Sequence, residues 1–575
     1  MKILLTAINA KYIHSNLAVY SLAAYAEENR NAVEIAEYTI NHRREYILQE
    51  IYKKKPDVLC FSCYIWNYEY VCQIAAEFHK LRPEVPIWAG GPEVSYETEK
   101  FFSEQAAFYG VMMGEGEESF KKLTGFYCRR DPADLSEIPG IAYRRSYFGA
   151  EADQIIRTLP GKPVNMDRIP FCYDHIEDFS NRIIYYESSR GCPFSCSYCL
   201  SSVDKHLRFR DLKLVKKELL FFIEKEVPQV KFVDRTFNCN HKHAMAVWNF
   251  IREQDRGKTN FHFEIAADLL TEEEMELLIN LRPGLVQLEI GVQSTHVKTI
   301  EAIHRTMQLS KIASAVRRIQ KAANIHMHLD LIAGLPYEDY ERFQKSFREI
   351  YALKPNQLQL GFLKVLKGSY LYEHREEYGI LYGDRPPYEV MQTKWISYDE
   401  ILKIKLAEEM LEVYYNSGQF EVTMKLLDAA YPDSFGFFLE LGQFYEKNGY
   451  LDRSHSRIRR CELLLEFLQE EKKIPEEMIQ ESLLYDLYYR ENMKSRPYWA
   501  RNPAEFAKIS RVYCKKGKSS HIEPFFYRFP TKEQKNISGL PKRLEKEIYM
   551  LFDYEKRDAL THQACVTEIR DWEET

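Results

Sequence analysis

The sequence predicts an α/β chain in three parts: a doubly wound domain, a central (β/α)6 barrel and a mainly helical C-terminal domain. Three observations predict it. Over residues 1–125, short apolar strands alternate with amphipathic helices, the pattern of a parallel sheet covered on both faces. From residue 183 a second alternation begins, with strand-like segments at 183–187, 230–234, 261–265, 286–291, 326–332 and 357–362. Beyond residue 385 the apolar spacing changes to three and four, as in Leu402, Leu406, Met410 and Leu411, which is a helical period. At 575 residues the chain is too long for one core. The expected divisions are 1–125, a linker over 126–180, the barrel over 181–384 and the helical domain over 385–575.

Composition narrows the function classes. The chain is 45% hydrophobic and 29% charged with a net charge of -6, a globular balance that makes no general electrostatic case for nucleic acid or an anionic membrane. No apolar run reaches the length of a membrane span, and the N-terminal apolar run is too short for a signal peptide. The 12 cysteines lie mostly in core-like runs, as at Cys60 and Cys63, which suits a reducing, cytoplasmic setting better than a disulfide framework.

In the first part, strands are expected at 2–8, 33–39, 58–63, 87–89 and 108–112, with helices at 14–28, 43–54, 68–81 and after residue 117. Glycine-rich turns follow the fourth and fifth strands, at Gly90-Gly91-Pro92-Glu93 and Gly114-Glu115-Gly116-Glu117. Ligands of doubly wound sheets sit at these carboxyl ends, where missing side chains let backbone approach a ligand. His14 follows the first strand and faces the same region; a capping or core histidine is an equal reading. Residues 126–180, with Pro132, Pro139, Pro160, Pro163 and Pro170, read as irregular connector.

The chemistry concentrates just after the first barrel strand, in Arg190-Gly191-Cys192-Pro193-Phe194-Ser195-Cys196-Ser197-Tyr198-Cys199. Three thiolates at C-x3-C-x2-C can hold three corners of a 4Fe-4S cluster and leave the fourth iron open. A structural zinc site wants four ligands, usually as paired C-x2-C units, and no second pair exists; His206 falls outside the usual spacing. Polar residues gather at the other strand ends: Asp234 after the second, Glu264 in the third, Gln293 after the fourth with Arg305 twelve residues on, and Asp330 within the apolar fifth. A buried carboxylate is costly without a partner, so Glu264 and Asp330 each require one, either a structural Lys or Arg or a ligand.

The cysteine motif resembles the signature of radical S-adenosylmethionine (SAM) enzymes, with Tyr198 at the aromatic position that lies against adenine. A doubly wound, flavodoxin-like domain ahead of such a core is similar to the cobalamin-binding domain of the B12-dependent members. The runs Gly291-Val292-Gln293, Arg305 and Asp330-Leu331-Ile332-Ala333-Gly334-Leu335-Pro336 resemble the partial TIM barrel of oxygen-independent coproporphyrinogen oxidase and the Elp3/MiaB-like branch. The C-terminal part resembles the domain of unknown function DUF4080, which is expected to cover the barrel mouth. The resemblance implies three cofactors: a 4Fe-4S cluster on Cys192, Cys196 and Cys199, SAM on Tyr198, Asp234, Glu264, Gln293, Arg305 and Asp330, and cobalamin on His14, Gly90, Gly91, Gly114 and Gly116. The usual D-x-H-x-x-G cobalt-ligand motif is absent from the sequence.

What the resemblance implies chemically is reductive cleavage of SAM to a 5′-deoxyadenosyl radical, then C-methylation of an unactivated carbon in a small-molecule or peptide substrate. A flavodoxin or ferredoxin would supply the electron. Cyclisation or rearrangement without methyl transfer is the alternative, and a non-catalytic corrinoid carrier is a third reading. A role on transfer RNA is disfavoured, because no appended RNA-binding barrel is visible.

Overall fold

The structure is a computed structural model that describes residues 1–129, 134–145, 154–514, 519–529 and 539–570. Its first sheet contains β1 (Ile3–Asn9), β2 (Val33–Thr39), β3 (Val58–Ser62), β4 (Ile87–Gly90) and β5 (Gly110–Met112), all parallel in the order 2-1-3-4-5. Every residue of β1 and β3 is buried, because helices cover both faces; this is why these strands read as apolar runs rather than alternations. The helix Tyr68–Leu81 packs one face on the sheet through Val71, Cys72, Ile74, Ala75 and Phe78.

The expected connector is not wholly irregular. β6 (Ile141–Arg144) and β7 (Ile155–Arg157) extend the first sheet antiparallel beyond β5. The buried guanidinium of Arg144 fastens β6 by donating to the carbonyls of Phe108 (2.9 Å) and Phe102 (2.8 Å). Strands of four and three residues carry too little period to be separated from loop by pattern alone.

The second sheet contains β8 (Ile184–Tyr186), then β11 (Gln229–Phe232), β12 (Asn260–Ile265), β13 (Val286–Gln293), β14 (His326–Ala333) and β15 (Gln357–Phe362). They are parallel neighbours in chain order. The short pair β9 (Ser189–Arg190) and β10 (Arg208–Phe209) sits between the first two. Helices 212–224, 241–254 and 340–351 start at Asp211, Asn240 and Asp339, whose side chains accept from the first-turn amides, and helix 272–279 opens with a Thr271–Glu274 capping box. Alternation in β13 and β14 sends Leu288, Ile290, Leu329 and Leu331 into the core, whereas Glu289, Gln293, His328 and Asp330 share the opposite face. That second face is polar, where closed barrels are commonly packed with branched apolar residues.

The C-terminal part begins with the small antiparallel pair β16 (Leu381–Tyr382) and β17 (Val390–Gln392). Helices follow over 398–410, 421–430, 434–447, 457–471 and 476–490, close to expectation. One expectation changes here. The last stretch, expected within a mainly helical domain, folds as a three-stranded antiparallel sheet: β18 (Ser520–Tyr527), β19 (Arg543–Arg557) and β20 (Ala564–Ile569). β19 is so charged because much of it faces solvent. The domain also seals a sheet edge and reaches the ends of β14 and β15, where the Val390 amide donates to Leu363 O (2.8 Å) and Trp395 packs on Tyr337. Buried Asn416 accepts from the Leu358 amide (2.9 Å) and donates to its carbonyl (2.8 Å), so the edge backbone of β15 is satisfied by a side chain. Phe435 packs on Phe343 and Phe347 of the helix between β14 and β15.

Candidate active site

Residues 191–207 form a loop closed at its base by β9 and β10, with Arg190 opposite Arg208 and Ser189 opposite Phe209. Gly191 enters this loop with φ +92°, and a Cβ there would lie 2.6 Å from the His206 carbonyl oxygen, so only glycine fits. The loop is tied down through Ser197, whose amide donates to Ile303 O (2.9 Å) and whose carbonyl accepts from the Leu371 amide (2.9 Å). Cys192 and Cys196 are buried and Cys199 is half-buried; His206 is exposed, beside Asp204. Burial raises the Cys192 thiol, against donors at the Phe194 amide and Thr236 hydroxyl.

Among the described residues, no three His, Cys, Asp or Glu side chains gather as a metal-ion site. Three soft thiols on one loop, with the Arg305 guanidinium 3.7 Å from Cys196 Sγ, are the donor type an iron–sulfur cluster takes.

Arg305 joins this loop to the fourth barrel strand. Its Nη1 also donates to Tyr198 OH (3.3 Å), and its Nη2 to Gly291 O (2.6 Å). The register of β13 against β14 slips between Gly291 and Gln293, and Gln293 takes φ +72°. Such a bulge re-aims a side chain, and a non-glycine residue holds that strained backbone only where its surroundings enforce it. Gln293 Oε1, Arg305 Nε and Asp330 Oδ1 are all buried without a hydrogen-bond partner. Three orphaned polar atoms beside one cysteine loop are an unusual concentration, since each costs about 1–3 kcal/mol.

The carboxylates differ sharply in environment. Glu264 pairs in register with Glu289 across β12 and β13. Lys231 Nζ donates to Glu289 (3.0 Å) and His262 Nε2 lies 3.2 Å from the same oxygen. Burial opposes ionisation of Glu289, but these two neighbours outweigh it and hold its carboxyl down to about 2. Glu264 has no such partner; burial, then the Glu289 charge, pushes it up to about 7. Asp330 is pushed up to about 8 by burial and by both glutamates, and its nearest basic neighbour, His328 Nε2, stands at 3.7 Å, beyond hydrogen-bond reach. Sequence reasoning missed Lys231, His262 and Glu289, because each looks like an isolated polar residue until the strands are aligned.

Asp234 is 1% exposed and is held from within the protein: it accepts from Ser188 N (3.0 Å), Ser188 Oγ (2.7 Å) and Ser189 Oγ (2.5 Å). His243 Nε2 completes the cluster at 2.9 Å from Ser188 Oγ. Asp234 therefore braces the strand that enters the cysteine loop, with Oδ1 accepting two of the three bonds and Oδ2 one.

A cavity of about 800 Å³ lies between the two sheets. Its wall includes His14, Gly90, Gly91, Gly114 and Gly116 from the first domain, and Tyr185, Glu187, Arg190, Lys231, Arg235 and Glu264 from the second. The five candidate residues of the first domain thus converge, although they span a hundred positions of sequence. Connector residues Met166, Ile169 and Phe171 also line this wall, and no described residue of the C-terminal domain does. His14 Nδ1 hydrogen-bonds Tyr185 OH (2.6 Å), and burial with nearby Lys11 and Lys231 keeps its ring neutral. Gly91 turns the chain with φ +119°, its would-be Cβ 2.3 Å from Cys63 O. Gly91→Ala should destabilise the first domain by roughly 1–3 kcal/mol, read as an earlier transition in denaturant unfolding.

Against this geometry the family comparisons are decisive. Residues 3–124 match the B12 binding domain, residues 186–350 the radical SAM superfamily, and residues 376–551 the protein of unknown function DUF4080. The chain is a radical SAM protein with a B12-binding domain before the core and a DUF4080 domain after it. Among curated relatives of this radical SAM protein, 2-(S-pantetheinyl)-carbapenam-3-carboxylate methyltransferase of Streptantibioticus cattleyicolor is 26% identical over 51% of this chain and 44% of the relative. The cobalamin-dependent radical SAM methyltransferase TokK of Streptomyces tokunonensis is 26% identical over 58% and 51%. The radical SAM protein thus spans about half the length of these relatives. Among solved structures, the cobalamin-dependent SAM radical enzyme OxsB, with aqua-cobalamin and S-adenosylmethionine bound, shares the fold at a TM-score of 0.56 and 15% identity, over 84% of this chain and 78% of that one. No described helix is long and apolar enough to cross a membrane.

Proposed function

We propose that this radical SAM protein is a cobalamin-dependent methyltransferase that C-methylates an unactivated carbon of a small-molecule or peptide substrate. One observation carries the reading: the strand leading into the three-cysteine loop and the glycine-rich turns of the B12-binding domain line one cavity. The 2-1-3-4-5 strand order supports a flavodoxin-like first domain, and the six neighbouring parallel strands support a partial TIM barrel.

In this reading Cys192, Cys196 and Cys199 hold the 4Fe-4S cluster, and Arg305 offsets its negative charge. Arg305, Gln293, Asp330 and Glu264 hold SAM, with Tyr198 against the adenine, and the orphaned atoms of the first three would gain their missing partners. A cationic ligand beside Asp330 and Glu264 would favour their ionised forms. Gly90, Gly91, Gly114 and Gly116 let the corrinoid approach backbone, and His14, engaged through Nδ1, has Nε2 left to face it. The three groups, when bound, supply one-electron cleavage of the SAM sulfonium and carriage of a methyl group. The chain's part is to position them and exclude water from the cavity. An external flavodoxin or ferredoxin in a reducing, cytoplasmic setting would deliver the electron.

The test is anaerobic reconstitution with iron, sulfide, cobalamin, SAM and reductant. Methyl transfer predicts 5′-deoxyadenosine together with S-adenosylhomocysteine. Deoxyadenosine alone would favour rearrangement, and neither product would sink the assignment as a radical SAM enzyme.

A further inference from the structure

The turn Gly114-Glu115-Gly116-Glu117 is held by its own domain at Gly116, whose carbonyl accepts from the Phe120 amide (2.7 Å), but only loosely at Gly114. A Cβ at Gly114 would have no atom within 4 Å, and the Gly114 amide reaches the Ser95 hydroxyl at 3.3 Å. Its two glutamates point instead to the base of the cysteine loop. Arg190 Nη2 donates to Glu117 (2.9 Å) and to Glu187 (2.7 Å), its Nε donates to Glu187 (3.0 Å), and Nη1 lies 3.6 Å from Glu115. Arg208 donates from both terminal nitrogens to Glu115, and also to Asp204 (3.1 Å) and Val164 O (2.9 Å). The Val164 amide returns to Glu115 at 2.8 Å.

Arg190 and Arg208 stand directly opposite one another across β9 and β10, a like-charge pairing that destabilises a strand pair when left alone. Here four carboxylates, from Glu115, Glu117, Glu187 and Asp204, separate and neutralise them. The central members are largely withdrawn from water, with Arg190 19% and Glu117 7% exposed at the side chain. Arg190 is also two residues from Cys192 along the chain. A planar guanidinium bonded to carboxylates on both sides fixes direction as well as distance, which an exposed lysine pair would not.

We infer that Arg190 and Glu117 are positioning residues: through them the B12-domain turn and the cysteine loop are held in fixed register across the cavity. This deepens the proposed function, on which it rests for what each loop carries. An ordinary interface salt bridge would contribute to domain docking only. A register device also sets the separation of the two cofactors.

The experiment uses the full chain with Arg190→Gln, Glu117→Gln and Arg190→Lys, each checked for wild-type far-UV circular dichroism and iron content. In cofactor-free protein, amide hydrogen exchange at residues 114–119 should accelerate at least about tenfold in both glutamine variants, and less in Arg190→Lys. In reconstituted protein, the dipolar coupling between cob(II)alamin and the reduced cluster should shift or broaden in Arg190→Gln and move back toward wild type in Arg190→Lys. Wild-type exchange and coupling in both glutamine variants would overturn the inference. If wild-type protein bound neither cofactor, the functional reading itself would fail, a result visible before any variant is compared.

Discussion

Replacing Cys192, Cys196 and Cys199 together by Ala is expected to abolish iron binding, the brown colour of the reconstituted protein and SAM cleavage, all to background. The three thiols are the soft donors gathered on the one loop, and the iron of a cluster has no affinity for the methyl groups that would replace them. The substitutions should leave the fold intact. The loop is pinned through backbone groups, by Ser197 to Ile303 and Leu371 and by the β9–β10 pairing, none of which uses a cysteine side chain. Single substitutions should each lower iron content sharply, because two anchored corners no longer fix the cube. Iron content and SAM cleavage at wild-type levels in the triple variant would remove the basis for the proposed chemistry. Cys239 offers an internal control: it neighbours Cys192 but lies outside the loop, and Cys239→Ala should retain the cluster.

The second large effect concerns Asp330. Its folded carboxyl is pushed up to about 8, against an unfolded value near 3.9. The native state therefore holds a proton that the unfolded chain has released, and ligand-free stability falls as pH rises from about 4 to about 8. At 1.36 kcal/mol per unit, the upper limit of this penalty is about 6 kcal/mol. Glu264, at about 7, is electrostatically coupled to it, so the two titrate as a pair. Asp330→Asn removes the penalty. The ligand-free variant should come closest to wild type near pH 4 and unfold at higher denaturant than wild type at pH 8. SAM should reverse the order, since a cation beside the carboxyl ionises it and releases protons. Calorimetry of SAM binding in buffers of different ionisation enthalpy reads that release directly. Asp330→Asn should weaken SAM binding roughly 10- to 100-fold, the loss of one charge-assisted hydrogen bond. A variant that bound SAM as tightly as wild type, with no change in proton release, would show that Asp330 faces something else.

Much of the architecture was legible before any coordinate. The strands of both sheets fall within a few residues of their expected positions, because strands buried between helices leave long apolar runs bounded by glycine and polar turns. The C-x3-C-x2-C spacing was equally direct, since all three donors lie within eight residues of one loop. Less was legible where stability comes from contacts distant in sequence. β6 and β7 are short edge strands with no period of their own, and β18 to β20 have compositions dominated by solvent-facing charge. The C-terminal helices could be outlined by their spacing, but the surface they cover is revealed by Asn416 on the edge of β15 and Phe435 on Phe343 and Phe347.

Local order in the chain was enough to place the parallel strands, most of the helices and the triple-thiol spacing, since each depends on neighbours along the backbone. The tertiary structure alone decided that Asp234 braces the loop, that Glu289 is satisfied while Glu264 and Asp330 are not, and that Glu115 and Glu117 reach Arg208 and Arg190. The reason is physical: whether a charge is paired, and what it costs when it is not, depends on burial and on partners brought together across strands and domains.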